Sequence, residues 1–378
     1  MKPTTISQTF SSLTDPRMDR RKRHSLINIV TISICAIIAG CDDFCGIEEY
    51  GKSKQDWFAQ FLDLPNGIPS HDTFCDVLNR LNPKEFSDAF SQWVRQLGKC
   101  KDDIIALDGK VMRGTLDKAN GNSAIHLVSA WPVNNRLCFG QVKVADKSNE
   151  ITAIPLLLEL LDIEHATLTT DAMGCQYKIG DSIVAKKGHY VFALKGSQGE
   201  CYHDIKLFLD TQLNKGFADA PHSHHNSVDG DHGRVEERTV WLSHDVGWLH
   251  QRHPQWQSIK AIAVVESKRQ VGDTPASYER RYYITSHRDK DAAFIAHAIR
   301  SHWQVESMHW QLDVSFNEDY NRLRSGHGAE NIAMMNKIAL NLLKNEKSVK
   351  VGIKNKRLKA GWDNNYMMKV LTVGFTSV

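Results

Sequence analysis

The chain has 378 residues, of which 41% are hydrophobic, and this is enough for two or three domains with buried cores. A formal net charge of only +3 excludes a strongly basic or strongly acidic protein, so any nucleic-acid binding must depend on where the charges lie. The eight cysteines include no Cys-x-x-Cys pair. Their spacing disfavours a disulfide framework and a zinc site, and it favours reduced thiols in a cytoplasmic protein.

An apolar run near the N-terminus follows the basic stretch Arg20–Arg23 and looks like part of a secretion signal. The run, residues 25–40, begins well inside the chain and contains Asn28, Thr31 and Ser33. It is also shorter than the roughly 20 residues that cross a bilayer. We therefore predict a buried helix here and no contact with a membrane.

The first hundred residues have the apolar spacing of helices. The predicted helices are Ser25–Ala39, Asp43–Phe61, His71–Arg80 and Pro83–Leu97. The last of them has Asn82 as N-cap, a proline at its first position and Glu85 to complete a capping box. These elements predict an all-helical domain over residues 1–100, which either packs against the rest of the chain or contacts DNA in helix-turn-helix fashion.

After residue 101, strands begin to alternate with helices. The predicted order is strand Ile104–Leu107, hairpin strands Ala124–Trp131 and Arg136–Val144, helix Glu150–Asp162, strand Ala166–Thr170, helix Gly174–Lys186 and strand Tyr190–Leu194. This is the order of a ribonuclease-H-like fold. We therefore predict the α/β class, with a mixed sheet flanked by helices.

The segment between residues 195 and 286 loses the helical spacing. Strands at Val235–Ser243, Ile259–Glu266 and Arg280–Thr285 predict an inserted, mostly β subdomain over residues 200–285. A long helix from Ser286 to about Leu312 and another at Glu330–Leu343 complete the α/β domain, which is predicted to span residues 101–199 and 286–345. Residues 346–378 are predicted to form a basic tail.

Positive charge is concentrated near both ends of the chain. Residues 1–24 contain six Lys or Arg and two Asp or Glu, and residues 337–359 contain eight and one. Such runs are either ordinary solvated surface or binding segments for DNA phosphates.

Three acidic residues, Asp108, Asp171 and Glu306, are candidate ligands of a metal site. Asp108 and Asp171 each follow an apolar strand, and a carboxylate at a strand end can face a cleft while the sheet holds its backbone. Parallel neighbouring strands would bring these two together, although strand-end aspartates also serve as turn caps. Glu306 lies on the long helix, on the same face as His302, His309 and Asp313.

Three carboxylates offer the hard oxygen ligands that suit Mg²⁺ or Mn²⁺. Two such ions could activate an attacking oxygen and stabilise the leaving oxygen of a phosphodiester. A zinc site through His302 and His309 is the less favoured alternative, because no third nitrogen or sulfur ligand is evident. Asp313, Glu318 or Asp319 could replace Glu306 as the third acid.

Basic side chains near the strand ends and on the helices could bind the DNA backbone, with ordinary surface charge as the alternative. The predicted DNA contacts are Lys110, Arg113, Lys195, Arg234, Arg300, His302, Arg322 and Arg324.

Seven segments in order resemble the H-repeat-associated transposases of bacterial insertion sequences, the ISAs family of the DDE superfamily. They are Gly67–Thr73, Ala106–Lys110, Lys147–Pro155, Thr170–Gln176, Phe192–Gln198, His232–Arg234 and the Glu306 helix with Leu312–Val314. The resemblance covers nearly the whole chain. One departure is Ser307-Met308, where the family has Asn-Leu.

The resemblance implies cleavage and strand transfer of double-stranded DNA at the terminal inverted repeats of an element, with two Mg²⁺ or Mn²⁺ ions held by Asp108, Asp171 and Glu306. The joining of two DNA ends favours a homodimer on DNA, and we expect a cytoplasmic, nucleoid-associated bacterial protein. In such relatives an aromatic residue of the insertion can hold a flipped base. Trp241 or Trp248 could do so here, or could belong to the core.

Two other functions are compatible with the sequence. One is a metal-dependent nuclease that cuts DNA without joining it. The other is a catalytically idle DNA-binding protein derived from a transposase, which the presence of all three acids disfavours.

Overall fold

The computed structural model describes residues 4–98, 100–118, 120, 123–145, 148–231, 234–272 and 274–373. Its helices are α1 (Thr4–Thr9), α2 (Leu26–Ala39), α3 (Phe44–Ser53), α4 (Gln55–Phe58), α5 (His71–Arg80), α6 (Pro83–Leu97), α7 (Glu150–Glu159), α8 (Tyr177–Ala185), α9 (Gly199–Asn214), α10 (Gly247–Arg252), α11 (Ala292–His302), α12 (Gln304–Phe316), α13 (Gly328–Asn345), α14 (Ile353–Trp362) and α15 (Asn364–Val373). Its strands are β1 (Ile104–Met112), β2 (Ile125–Pro132), β3 (Gly140–Lys143), β4 (Thr167–Thr170), β5 (His189–Leu194), β6 (Ser223–Asp231), β7 (Arg234–Ser243), β8 (Ala261–Val271) and β9 (Ser277–Thr285).

All the strands belong to one sheet, in the order β3-β2-β1-β4-β5-β9-β8-β7-β6. The first five have the ribonuclease-H-like order, which confirms the predicted fold class. Strands β1, β4 and β5 are parallel, and α7 and α8 provide the crossovers that parallel neighbours require. The carboxyl ends of these three strands therefore meet at one edge, where the candidate site lies.

The predicted inserted strands are present, but they continue the main sheet instead of forming a separate one. Strand β9 pairs with β5 in antiparallel fashion, and β8, β7 and β6 follow outwards. Helix α9 was not predicted, although Cys201, Ile205 and Leu209 are buried at helical spacing along it. Of the segment His232–Arg234, only Arg234 lies within the described residues, and Lys147 of the segment Lys147–Pro155 lies outside them.

The single helix predicted from Ser286 to Leu312 is wrong, because two helices, α11 and α12, meet at Trp303. The Asp291 side chain caps α11 by accepting a hydrogen bond from the amide of Phe294. Ser286 lies outside the helix, and its hydroxyl accepts the amide of Tyr190. Helix α12 begins at Gln304 after this break and contacts β1, the strand of Asp108.

The helices predicted near the N-terminus are confirmed for α2, α5 and α6. Helix α2 lies in the interior against α13 and α14, so the N-terminal helices share a core with the C-terminal ones. The side chain of Asn82 accepts the amides of Lys84 and Glu85 as predicted. The capping box does not form, because the Glu85 carboxylate accepts the amide of Thr14 instead.

The predicted basic tail is wrong for residues 353–373, which fold into α14 and α15. Two of its basic residues are buried: Lys356 donates to the carbonyl of Leu343, and Arg357 donates to the carbonyl of Ile37 at the end of α2. Their charges satisfy helix carbonyls. They are therefore not available to DNA phosphates.

No single helix in the described part of the chain is long and apolar enough to cross a membrane. Helices α2 and α3 have the length and apolar composition of a membrane span only when they are taken together, and a bend of 96° separates them. The apolar run that resembled a signal forms α2, which the core encloses.

Candidate active site

Asp108 lies inside β1 and not at its end, which corrects the sequence prediction. Strand β1 pairs with β4 only as far as Ala106, but it continues beside β2 to Met112. The edge towards β4 is therefore open at Asp108. A carboxylate here still faces a cleft while the hairpin with β2 holds its backbone.

Asp171 follows the last residue of β4 directly. Ala106 pairs with Thr169 across the two strands, and two further residues on each strand bring Asp108 level with Asp171. Adjacent parallel strands lie about 5 Å apart. The Asp171 Oδ1 atom accepts the amides of Met173 and Gly174 at 2.9 and 3.4 Å, so this aspartate also caps the turn that leads to α8.

The junction of α11 and α12 brings Glu306 towards these strands. His302, at the end of α11, lies 3.0 Å from the Thr169 hydroxyl on β4 through Nδ1. His309, on α12, lies 3.4 Å from Asp108 Oδ2 through Nδ1. Glu306 is in the first turn of α12 between these two anchors, and it is exposed.

The neighbouring carboxylates raise the pKa of Asp108. Burial and the charge of Glu150, then the charges of Asp171 and Glu306, raise the pKa of Asp108 to about 7. Burial lowers the pKa of His302 and lowers that of His309 to about 4, so both imidazoles are neutral at pH 7. The negative charge of the site therefore lacks a compensating cation among these neighbours.

Hard oxygen donors with uncompensated charge fit Mg²⁺ or Mn²⁺ in chemistry. They do not yet fit in distance, because no three His, Cys, Asp or Glu side chains of the described residues stand close enough to hold one ion. Metal binding would thus require the acids to draw together. Glu306, exposed on the first turn of its helix, has the most freedom to do so.

The alternative ligands are engaged elsewhere. Lys110 forms ion pairs with Asp313 and with Glu318, the latter at 2.6 Å. Asp319 lies 3.9 Å from Arg113. His302 and His309, proposed as a zinc pair, contact different partners, Thr169 and Asp108.

Two of the predicted DNA contacts are not supported by their surroundings. Lys110 has a side chain only 10% exposed, and its charge is already paired with two carboxylates. His302 is neutral and bonded to β4. Both therefore make their contacts inside the protein near the site.

The other predicted contacts are accessible. The exposed members of the set are Arg113, Lys195, Arg300, Arg322 and Arg324. Lys195 follows β5 and lines a pocket of about 250 Å³ together with Asp171 and Trp303. Arg234 is paired with Glu236, and Arg300 Nη1 lies 2.7 Å from Asp229 Oδ2.

A groove of about 780 Å³ lies between the strands β6–β9 and the α11–α12 junction, and Glu306 is one of its lining residues. Its arginines are Arg234, Arg238, Arg269, Arg281 and Arg300. Two carboxylates, Glu236 and Glu279, also line it. Apart from Glu306, the lining therefore carries a net positive charge beside the candidate site.

Trp303 was missed as a site residue. It is 49% exposed, lines both the groove and the pocket beside Asp171, and has the Arg281 guanidinium 5.7 Å from its ring. Its place three residues before Glu306 could have indicated it. Trp241 stacks on Phe217 and Trp248 stacks on Phe208, so both belong to the packing of the inserted segment.

A ribonuclease-H-like sheet with acids beside its parallel strands and on a following helix defines the class of DDE enzymes, which cut and join DNA. The chain belongs to the transposase DDE-domain family, whose model matches residues 99–342. A second model, described as DDE_Tnp_1-associated, matches residues 7–94. The family generally uses divalent metal ions.

Relatives are found along almost the full length of the chain. It is 39% identical to "Putative transposase YncI" of Escherichia coli O157:H7 over 96% of this chain and 93% of that one. It is 38% identical to "H repeat-associated putative transposase YhhI" of Escherichia coli K12 over 97% of both. These relatives confirm the resemblance to H-repeat-associated transposases.

The solved structure of the piggyBac transposase synaptic complex with hairpin DNA aligns with 99% of this chain and 77% of that one. The identity is 12% and the TM-score 0.41, which is too distant a likeness to support an argument.

Proposed function

We propose that this protein cuts DNA at the ends of an insertion sequence and joins the freed 3′ ends to target DNA. Asp108, Asp171 and Glu306 would hold two Mg²⁺ or Mn²⁺ ions. The observation that carries the proposal is the register of β1 and β4, which sets two acids level at an open edge beneath the helix of the third. The family of the chain supports the same reaction class.

The residues of the chain supply rigid placement. Asp171 is oriented by two backbone amides, and Asp108 is flanked by the neutral imidazole of His309. When bound, two divalent ions would activate the attacking oxygen and stabilise the leaving oxygen. Water would be the first nucleophile and the 3′-hydroxyl the second, with no covalent protein intermediate.

The arginine-lined groove would bind the phosphates that lead to the cut. Arg113 and Lys195, exposed near the strand ends, would contact the backbone on the other side of the site. Trp303 is the best placed aromatic for a base that leaves the stack, because it is exposed between the groove and Asp171. This role replaces the one considered for Trp241 and Trp248.

A cleavage assay tests the proposal. The substrate is DNA that carries the sequences flanking the reading frame, with Mg²⁺ and a second labelled duplex as target. We expect Asp108→Asn, Asp171→Asn and Glu306→Gln to abolish cutting while DNA binding persists. Asp181→Asn, an exposed aspartate on α8, is the matched control and should cut normally.

Near-normal cutting by any of the three variants would remove that residue from the site. Cutting without capture of the target would identify a nuclease, and binding without cutting by the wild type would identify an idle DNA-binding protein. The joining of two ends also requires two active sites. Light scattering of the complex with end DNA should therefore give the mass of a homodimer.

A further inference from the structure

A fourth carboxylate lies beside the three acids of the candidate site. Glu150 is the first residue of α7, and it is 9% exposed. Its Oε1 atom lies 2.9 Å from His126 Nε2 on β2. The side chain does not cap its own helix, because Asn149 accepts the amide of Ile151 in that role. The carboxylate is directed instead at the middle of the sheet.

Gly109 explains how Glu150 reaches β1. A Cβ atom at position 109 would collide with Glu150 Oε1 and would stand 2.5 Å from His126 Nε2. Side chains alternate between the two faces of a strand, so position 109 faces away from its neighbour Asp108. His126 pairs with Val111, and both therefore share the face of Gly109. The missing side chain lets a carboxylate from that face press against the backbone next to Asp108.

A structural role alone does not account for this carboxylate. Its partner His126 has a pKa lowered by burial, so at pH 7 the imidazole is neutral and supplies no countercharge. Glu150 is buried against the backbone of Gly109, and a buried carboxylate whose partner is a neutral imidazole carries a free-energy cost. A cation bound between Glu150 and the neighbouring acids would remove that cost.

We propose that Glu150 is a fourth carboxylate of the divalent-ion site, which it reaches across Gly109 and towards which His126 orients it. The inference rests on the proposed function, because it takes the site of Asp108, Asp171 and Glu306 as given. It adds an acid from the opposite face of the sheet. Carboxylates that ligate metal ions are themselves held by hydrogen bonds from outer partners, and His126 is placed to hold Glu150 in this way.

Mn²⁺ binding to the full chain without DNA tests the proposal. Free Mn²⁺ is measured by electron paramagnetic resonance during titration of the protein. We expect Glu150→Gln to weaken binding by about tenfold or more. Glu159→Gln, an exposed glutamate at the other end of α7, should bind like the wild type. Gly109→Ala should weaken binding as well, because the added methyl group displaces Glu150.

Thermal unfolding with and without Mn²⁺ separates binding from folding. Glu150→Gln should unfold in EDTA at or above the temperature of the wild type, since it removes an uncompensated buried charge. It should gain less than the wild type when Mn²⁺ is added, because the gain depends on the affinity. Glu150→Asp keeps the charge but shortens the side chain by one methylene group. Its gain in unfolding temperature on addition of Mn²⁺ should lie between the gains of the wild type and of Glu150→Gln.

The outcomes also separate this inference from the proposed function. Normal Mn²⁺ binding by Glu150→Gln, together with weak binding by Asp108→Asn, would overturn the fourth carboxylate and leave the three-acid site intact. Normal binding by Asp108→Asn, Asp171→Asn and Glu306→Gln would overturn the three-acid site itself. Normal binding by Gly109→Ala would contradict the path across the strand.

Discussion

Lys110 lies close to the candidate site in sequence, but its charge is paired with carboxylates inside the protein and is not free to bind DNA. It lies two residues after Asp108 on β1, and its ammonium contacts Asp313 on α12 and Glu318 just beyond that helix. The side chain of Glu318 is fully buried. Burial raises the pKa of Glu318, but the charges of Lys337 and Lys110 outweigh it and hold the pKa below its usual value. Lys110 thus ties the strand of one acid to the helix of another.

Lys110→Met should destabilise the protein by about 3 kcal/mol, because it leaves Glu318 buried with one partner fewer. Adding Glu318→Gln to that variant should recover only part of the loss, since the buried ammonium of Lys337 then loses its carboxylate partner. Urea unfolding at pH 7.5 measures both. Lys195→Met, at an exposed position, is the control. A Lys110→Met variant as stable as the wild type would contradict this account of the pair.

His287 provides a pH-dependent contribution to stability. It is 2% exposed, its Nε2 atom lies 2.9 Å from the Thr167 hydroxyl, and its ring stacks on His189. Burial, and then the charge of His189, lower the pKa of His287 to about 3. The unfolded chain binds a proton below about pH 6.5 and the folded chain does not, so acid favours unfolding.

The free energy of unfolding should therefore fall by about 2 kcal/mol from this residue between pH 7.5 and pH 5. His287→Gln keeps an amide near the position of Nε2 but does not titrate in this range. Its stability should be lower at pH 7.5 and should fall less steeply towards pH 5. Equal slopes for the two proteins in urea unfolding would show that His287 does not stay neutral in the fold.

The acids illustrate what sequence can and cannot locate in a site. Asp108 and Asp171 were found because apolar strands precede them, although β1 proved longer than its apolar part. The sequence offered no comparable signal for Glu150. Its approach to Asp108 depends on the packing of α7 and on a glycine that is informative only once its neighbours are known.

The same limit appears among helices and strands. Helices α5 and α6 were predicted to the residue because caps and a proline mark their ends. Strand β6 was missed because it is a polar edge strand without an apolar face. Helix α14 was missed because its charges suggested solvent, whereas Lys356 and Arg357 bond to carbonyls of other helices. Such contacts between distant segments are not encoded in local spacing.

Helices α14 and α15 should contribute directly to the stability of the core. Leu371 on α15 is 1% exposed and packs in the main core, whereas Leu358 on α14 is 39% exposed. Leu371→Ala should destabilise the protein by about 2–5 kcal/mol, and Leu358→Ala by less than about 1 kcal/mol. Urea unfolding compares the two identical substitutions. Equal small effects would mean that the C-terminal segment is a loose tail, as its charge had suggested.

Across the whole molecule, a net charge of +3 conceals an uneven distribution. Near the C-terminus, Lys356 and Arg357 are buried and bond to carbonyls inside the fold. Five arginines, in contrast, line the groove that also includes Glu306. The groove exists because β6–β9 extend the main sheet past β5 and carry these side chains beside α11 and α12. Continuity of the sheet thus joins the candidate site to a surface suited to phosphates.

The groove predicts the salt dependence of DNA binding. Each phosphate contact that is lost should reduce the slope of log K against log salt by about 0.9. Arg269→Gln, at an exposed groove position, should lower the slope by about that amount. Arg300→Gln should lower it less, because Asp229 already neutralises part of that charge. Fluorescence anisotropy of end DNA in EDTA measures the slopes without cleavage.

Lys187→Gln is the matched control for this experiment, because Lys187 is 74% exposed but lies just before β5, at the opposite edge of the sheet from the candidate site. Its slope should equal that of the wild type. Unchanged slopes for both arginine variants would mean that DNA does not follow the groove to Glu306. A lower slope for Lys187→Gln as well would mean that the DNA contacts positive charge wherever it occurs. Only a loss confined to the groove supports a path for DNA that leads from the extended sheet to the three acids.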